Sequence, residues 1–274
     1  MAKTKRKPKK KALTARNADK HILYQESVQD AEVEVDFITR VYKRIRKRSA
    51  KSLREDFCGT ALVCAEWINR SKDKTAVGVD LDKPTLDWAT KNNLSKYDEP
   101  GNRVKLLRQN VLKETKEKFD VIDAMNFSYF IFKERKVLKD YFTAVYRSLN
   151  KDGVFFTDCY GGTEAGEELE EDRDQEGFTY VWDQHSFNPI NNHVLNYIHF
   201  EFPDGSKIRK AFTYDWRLWS LAEIQEIMYE AGFKLVEVYW EDDDPDGEEG
   251  NGVFRRRKNA ENCEGWIAYV VATK

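Results

Sequence analysis

An α/β architecture, a mostly parallel and doubly wound sheet with helices on both faces, is predicted for this 274-residue chain. Three observations carry the prediction. Short β-branched runs alternate with helical periodicity from residue 50 to 160, at the spacing of successive βαβ units. The run TAVGVD at 75–80 is apolar without alternation, as a strand buried on both faces must be. The polar and glycine-bearing loops able to hold a ligand all follow strands, the end at which the crevice of such a sheet opens.

The elements follow in order. Residues 1–16 hold eight Lys/Arg and no acid. A like-charge run of this kind stays solvated, so residues 1–18 are expected to form a disordered basic tail. The tail would touch nucleic-acid phosphates only non-specifically, and KRKPKKK also reads as a nuclear-import signal. Over 30–49, Phe37, Ile38, Val41, Tyr42 and Ile45 share one helical face. KSLREDF is the first strand, and a helix covers 60–70. TAVGVD is the second strand, and a helix over 81–94 has Pro84 in its first turn. RVKLLRQN (103–110) and FDVIDAMNF (119–127) are the next two strands. A helix over 133–150 carries Val137, Leu138, Tyr141, Phe142, Val145 and Leu149 on one stripe, and VFFTDCY is the fifth strand. Right-handed crossovers then put helices on both faces.

After Tyr160 the pattern changes. GFTYVWD, HVLNYIHFEF and KIRKAFTYDW read as three antiparallel strands, with a hairpin turn at Pro203-Asp204-Gly205-Ser206. They form an insertion over 161–219. The alternation resumes with a helix over 220–233, bounded by a Ser220/Glu223 capping box and Gly232. Two last strands, KLVEVYW and GWIAYVVATK, are separated by an acidic loop. The acidic runs 164–176 and 241–249 are expected to be solvated. No linker marks two independent domains, so residues 19–274 form one unit with the insertion inside it.

Composition excludes several classes. Hydrophobic residues make up 41% of the chain, enough for a sizeable core, and the net charge of −2 argues against a dedicated nucleic-acid binder. No apolar run approaches the roughly 18 residues of a membrane span, and the basic start lacks the apolar core of a secretory signal. Cys58, Cys64, Cys159 and Cys263 are scattered without a C-x-x-C pair, which implies a reducing, cytoplasmic setting and no structural zinc or other metal.

The loop after the first strand reads Glu55-Asp56-Phe57-Cys58-Gly59-Thr60-Ala61, and an acid, Asp80, ends the second strand 21 residues beyond Gly59. An acid there accepts hydrogen bonds from ribose hydroxyls. Nicotinamide and flavin sites need G-x-G-x-x-G so that the backbone can approach a pyrophosphate. One glycine and no phosphate-loop lysine exclude such a site.

On these residues the chain resembles the class I S-adenosylmethionine-dependent methyltransferases, whose first motif commonly runs (D/E)-x-G-x-G-(T/S)-G. Glu55, Gly59 and Thr60 match it, while Phe57 and Ala61 stand at glycine positions. The resemblance covers residues 50–160 by motif order and extends to 274 by the closing helix–strand–strand pattern. It implies a Rossmann-like sheet of seven strands with an antiparallel last strand, S-adenosyl-L-methionine as cofactor, and methyl transfer as the reaction. It also implies site residues. Arg54, Glu55, Phe57, Cys58, Gly59 and Thr60 would hold the amino-acid end of the cofactor, Asp80 with Leu81 the ribose, and Asn110 with Val111 the adenine. Asn126-Phe127-Ser128-Tyr129, after the fourth strand, would face cofactor and substrate; it has the spacing of the N-P-P-Y signature of amino methyltransferases without its prolines. Tyr24 and Gln25 would form an N-terminal lid, and the insertion a substrate lid, as in small-molecule members.

The methyl of a sulfonium needs mainly alignment for transfer, although a hydroxyl acceptor would need a general base. Tyr129, His185 and His199 are the catalytic candidates, and Tyr129, Trp182 and Arg217 the substrate contacts, Arg217 for a carboxylate. Methyl transfer to a nitrogen or oxygen of a small molecule is the first reading. An RNA or protein methyltransferase docking its polymer through the basic tail and NGVFRRRK (251–258) is the second, and a non-enzymatic adaptor the third. Sequence does not specify an oligomeric state.

Overall fold

The computed structural model describes residues 12–97, 100–243 and 250–274. The strands are β1 (Ser52–Asp56), β2 (Thr75–Asp80), β3 (Val104–Arg108), β4 (Phe119–Ala124), β5 (Leu149–Gly161), β6 (Leu169–Gln175), β7 (Phe178–Asn188), β8 (His193–Glu201), β9 (Lys207–Arg217), β10 (Leu235–Asp243), β11 (Gly250–Arg257) and β12 (Trp266–Thr273). The helices are α1 (Lys20–Val28), α2 (Ala31–Arg46), α3 (Leu62–Asn69), α4 (Lys83–Asn92), the single turn α5 (Pro100–Arg103), α6 (Arg135–Ser148) and α7 (Leu221–Glu230).

An eight-stranded sheet runs β3-β2-β1-β4-β5-β12-β10-β11. Strands β1 to β5 pair in parallel, and β12 lies antiparallel between β5 and β10. Consecutive apolar residues on one strand serve opposite faces. Phe156 and Val271 pack with α2, α3 and α4, while Phe155 and Val270 pack with α6 and α7. Each such fully buried side chain contributes about 1.5–3 kcal/mol. That is why these strands read as unbroken apolar runs.

The sheet has one strand more than expected. NGVFRRRK pairs with β10 as an edge strand, because Phe254 reaches the core against Phe37 and Tyr269. Its arginines are ion-paired: Arg255 and Arg257 with Asp242, Arg256 with Glu237. Of the acidic run 241–249, residues 244–249 lie outside the described residues.

The insertion is a four-stranded antiparallel sheet in the order β6-β7-β8-β9. The fourth strand, β6, comes from the acidic run expected to be solvated. Pairing with β7 satisfies its backbone while its acids stay exposed, and the like charges protect an open edge. The β8–β9 hairpin turns where sequence places it, with Gly205 at φ +82. The inner face of this sheet is covered by α1 and by residues before it. Leu13 and Ala15 pack there beside Leu23, and the Ala15 N–H donates to Ser206 Oγ at 2.9 Å. Residues 12–18 are therefore part of the fold rather than a solvated tail; residues 1–11 lie outside the described residues.

Candidate functional site

Chain order reverses between β1 and β4, and a cleft of about 540 Å³ opens at their carboxyl ends. Its floor is the turn from β1 into α3. Phe57 (φ 56), Gly59 (φ 47) and Ala61 (φ 52) all adopt the left-handed conformation. For the two non-glycine residues this costs about 1–2 kcal/mol each. Compensation is local: the Cys58 N–H donates to the Val79 carbonyl (3.1 Å), the Ala61 N–H to the Cys58 carbonyl (2.6 Å), and the Phe57 ring packs on Phe132 and Tyr141. The motif's glycine geometry is thus kept with a phenylalanine and an alanine.

Asp80 fastens this turn from the side. Its carboxylate accepts from the Gly59 N–H (2.9 Å) and the Asp82 N–H (2.8 Å). Glu55 accepts from the Cys64 N–H in the first turn of α3 at 2.8 Å, yet burial pushes its carboxyl up to about 7. Opposite Glu55, in register on β4, stands Asp123. It is fully buried, and neither carboxyl oxygen has a hydrogen-bond partner among the described residues. Burial first, then the nearby Glu55, Glu34 and Asp56, hold its carboxyl well above the ordinary range.

The turn after β4 is strained in the same manner. Asn126 (φ 57) and Phe127 (φ 56) are both left-handed. Their N–H groups converge on one carboxylate, that of Asp158 on β5, at 2.7 and 2.9 Å. Despite these bonds, burial pushes the Asp158 carboxyl up to about 7. The roof comes from β9 and α1. Phe212, Tyr214 and Trp216 alternate inward, and Tyr24 stacks near Phe212 with ring centroids 4.7 Å apart. Gln25 Nε2 donates to Thr60 Oγ1 at 2.8 Å and ties α1 to the floor.

Tyr24, Glu55, Phe57, Cys58, Gly59, Thr60, Asp80 and Asn126 come together around this cleft, as sequence places them. Other candidates stand elsewhere. Arg54 is wholly buried behind the loop, donating to Asp56, Ser148 and the Val111 carbonyl, so it organises the core instead of touching a ligand. Val111 is buried by the same contact. Asn110 caps its own turn by accepting from the Leu112 N–H at 2.9 Å, and Leu81 is exposed outside the lining. Tyr129 is fully buried among Phe130 and Phe142, and its hydroxyl donates to the Asp158 carbonyl oxygen at 2.7 Å. Burial raises that phenol further, which rules out a base.

The two candidate histidines lie on the far face of the insertion sheet. His199 is buried, accepts the Lys210 N–H at Nδ1 (2.7 Å) and meets Asp183 through Nε2 (3.0 Å); His185 is exposed beside Asp183. Glu170, Asp183 and His199 have ligand atoms within 4.8 Å of one another. The Lys210 amide, however, takes the lone pair of Nδ1, so Nε2 carries the proton and donates to Asp183. A neutral imidazole then has no nitrogen left for a metal. Trp182 packs on Tyr214 behind the roof, and Arg217 lies over Trp219, donating to the Lys133 carbonyl and Glu223. His199 and Arg217 therefore bond to other protein groups, and neither lines the cleft.

Sequence reasoning passed over Asp123, His21 and Lys133, which also line the cleft. Burial and then Lys20 lower the His21 imidazole; Lys133 is paired with Asp215 at 2.8 Å. Asp123 had a visible signal: a second acid inside the otherwise apolar strand FDVIDA, where charge is rare without a purpose.

No family model and no curated protein sequence matches the chain. Solved structures do. A S-adenosylmethionine-dependent methyltransferase from Clostridium acetobutylicum superposes with a TM-score of 0.69 at 19% identity, over 91% of this chain and 96% of that one. A sugar N-methyltransferase from a Streptoalloteichus species gives 0.62 at 18%, over 100% and 98%. A S-adenosylmethionine-bound amino pentose methyltransferase from Micromonospora echinaspora gives 0.65 at 13%, over 92% and 95%. At these identities the likeness is one of fold, and the chain is built on the class I S-adenosylmethionine-dependent methyltransferase fold.

Proposed function

We propose that the protein is a S-adenosylmethionine-dependent methyltransferase acting on a nitrogen of a small amine. The observation that carries this reading is a roofed cleft at the sheet's switch point, lined by acids and aromatic rings and closed over by α1 and β9. The residues fit the cofactor's chemistry. Among the described lining residues Lys133 is the one Lys or Arg, and it is paired with Asp215, so nothing there suits a phosphate. Asp80 would accept the ribose hydroxyls, and the rings of Tyr24, Phe212, Tyr214 and Trp216 suit a cation.

When bound, S-adenosylmethionine supplies a methyl group on a positively charged sulfur. The chain's own part is to hold the reactants in line, exclude water beneath the β9 roof, and favour a cationic or neutral amine over an anionic acceptor. Acidic residues (Glu55, Asp80, Asp82 and Asp123) outnumber basic ones in the lining, and the arginine expected for a substrate carboxylate is engaged elsewhere. A small acceptor is favoured because β9 of the insertion overhangs the cleft; likeness in fold to a sugar N-methyltransferase and an amino pentose methyltransferase supports the same reading.

Calorimetry with S-adenosylhomocysteine tests it. Binding is expected, and Asp80→Ala should weaken it by about tenfold or more, roughly 1.4 kcal/mol. Absence of binding to the unaltered protein would refute the reading.

A further inference from the structure

The cleft wall that follows β4 is held by three successive anchors, all from β5. Pairing of the two strands ends at Ala124 and Thr157, where the Thr157 hydroxyl donates to the Ala124 carbonyl at 2.6 Å. Asp158 takes over where the ladder stops. Its Oδ2 accepts the Asn126 N–H at 2.7 Å and its Oδ1 the Phe127 N–H at 2.9 Å. Its backbone carbonyl accepts the Tyr129 hydroxyl. Each carboxyl oxygen thus serves one of two adjacent left-handed residues. Met125, Asn126 and Ser128 line the cleft, while Asp158 lies buried behind them and outside the lining.

We propose that Asp158 is a positioning residue for methyl transfer: its carboxylate clasps the Asn126–Phe127 turn against the group being transferred, and a proton on it opens the clasp. The proposal rests on the function proposed above. Asp80 fastens the floor on the β2 side of β1, whereas this turn stands on the β4 side, beneath the roof. Phe127 meets Trp216 of β9 there, with ring centroids 6.4 Å apart. An acceptor entering under β9 meets the clasped wall. The clasp needs the ionised acid. A carboxylate offers an acceptor to each N–H; a protonated carboxyl replaces one of them with an O–H donor. A bulky residue such as Phe127 leaves the left-handed region unless its surroundings hold it there.

The surroundings set where the clasp opens. Burial pushes the Asp158 carboxyl up to about 7, against the pull of the Phe127 and Asn126 N–H groups. No neighbouring group brings a positive charge. Glu34 of α2 is raised by burial and then by Asp158, and Glu55 of β1 and Asp123 of β4 are raised acids too. Tyr24 of α1, Tyr129 after β4, Cys159 of β5 and Tyr269 of β12 are neutral, each held above its ordinary range first by burial. The clasp therefore closes as pH rises through about 7 and opens as it falls.

Two measurements test the clasp. In proton–nitrogen correlation spectra of the unaltered protein, the Asn126 and Phe127 amides should move downfield together as pH rises, with a shared midpoint near 7. Asp158→Asn should abolish that movement, while the Cys64 amide, which reports Glu55, keeps its own. Calorimetry at about pH 8 then compares S-adenosylhomocysteine with sinefungin, whose amine-bearing carbon replaces the methylated sulfur and points an amine where the methyl would lie. Asp158→Asn should weaken sinefungin by about tenfold or more and S-adenosylhomocysteine by less than about threefold. Asp158→Glu, which keeps the charge and alters the reach, should do the same. Equal effects on the two analogues, an unaffected Asp158→Glu, or amides that do not titrate together would overturn the positioning role while leaving the adenosine site intact. Failure of both analogues to bind the unaltered protein would instead overturn the proposed function. Should the variants not fold, the amide titration of the unaltered protein decides.

Discussion

Ala61 holds a conformation that glycine adopts freely, and the difference is measurable. Ala61→Gly relieves about 1–2 kcal/mol of left-handed strain and adds about 0.5–1 kcal/mol of unfolded-state entropy. Thermal melting should therefore show it neutral or slightly stabilising. Ala65→Gly, inside α3 and buried, should lose about 1 kcal/mol. A larger loss at 61 than at 65 would contradict the strain argument. Asp158→Ala removes the acceptor shared by two strained N–H groups and should cost about 1–3 kcal/mol in urea denaturation. His199→Ala should cost a similar amount, about 1–3 kcal/mol, yet leave S-adenosylhomocysteine affinity unchanged, because its bonds go to Lys210 and Asp183 and not to the cleft. At this scale the floor residues were legible: Glu55, Gly59 and Asp80 sit at strand ends that periodicity alone locates. Tyr129, His199 and Arg217 were not, because a side chain's direction depends on which neighbours absorb its polar atoms, and sequence does not show those neighbours.

At the scale of elements, two charged segments folded into strands. Edge strand β11 keeps its place through one anchor. Phe254→Ala should cost about 3–5 kcal/mol by opening a cavity beside Phe37 and Tyr269. The paired change Arg255→Ala with Arg257→Ala should stay within about 1 kcal/mol, since both arginine side chains are exposed, at 64% and 51%, and their pairs with Asp242 lie at the surface. A stability loss larger for the arginines than for Phe254 would show that the ion pairs, not the core contact, hold the strand. Charge composition misled here for a definite reason. A run of acids cannot bury its side chains, but an edge strand asks only that the backbone pair on one side. The core-facing elements were plain in sequence because their period is dictated by burial: α2, α6 and α7 expose an apolar stripe, and β2 has no polar face at all.

For the whole molecule, the buried acids of the cleft make stability depend on pH. Glu55 moves from 4.5 in the unfolded chain to about 7 when folded, and Asp158 from 3.8 to about 7. Between those limits the folded state binds more protons than the unfolded state, so stability falls as pH rises from about 5 through 7. The carboxylates held below their ordinary range, Asp120, Glu230 and Glu237, act oppositely but only at more acidic pH. Melting without ligand should thus give a lower Tm at pH 8 than at pH 5.5, and a rise would refute the assignment. S-adenosylhomocysteine at a hundred times its Kd should add about 2.7 kcal/mol. By itself the sequence determined the sheet, its helices and the loop that turns at the cleft, because apolar period and turn chemistry are local properties. Only the tertiary structure decided which acids converge there, that the insertion roofs the cleft, and that Asp123 faces it without a partner. Those are facts about strands distant in sequence and adjacent in space, where burial and the lack of a counter-charge become defined only once the chain has closed around them.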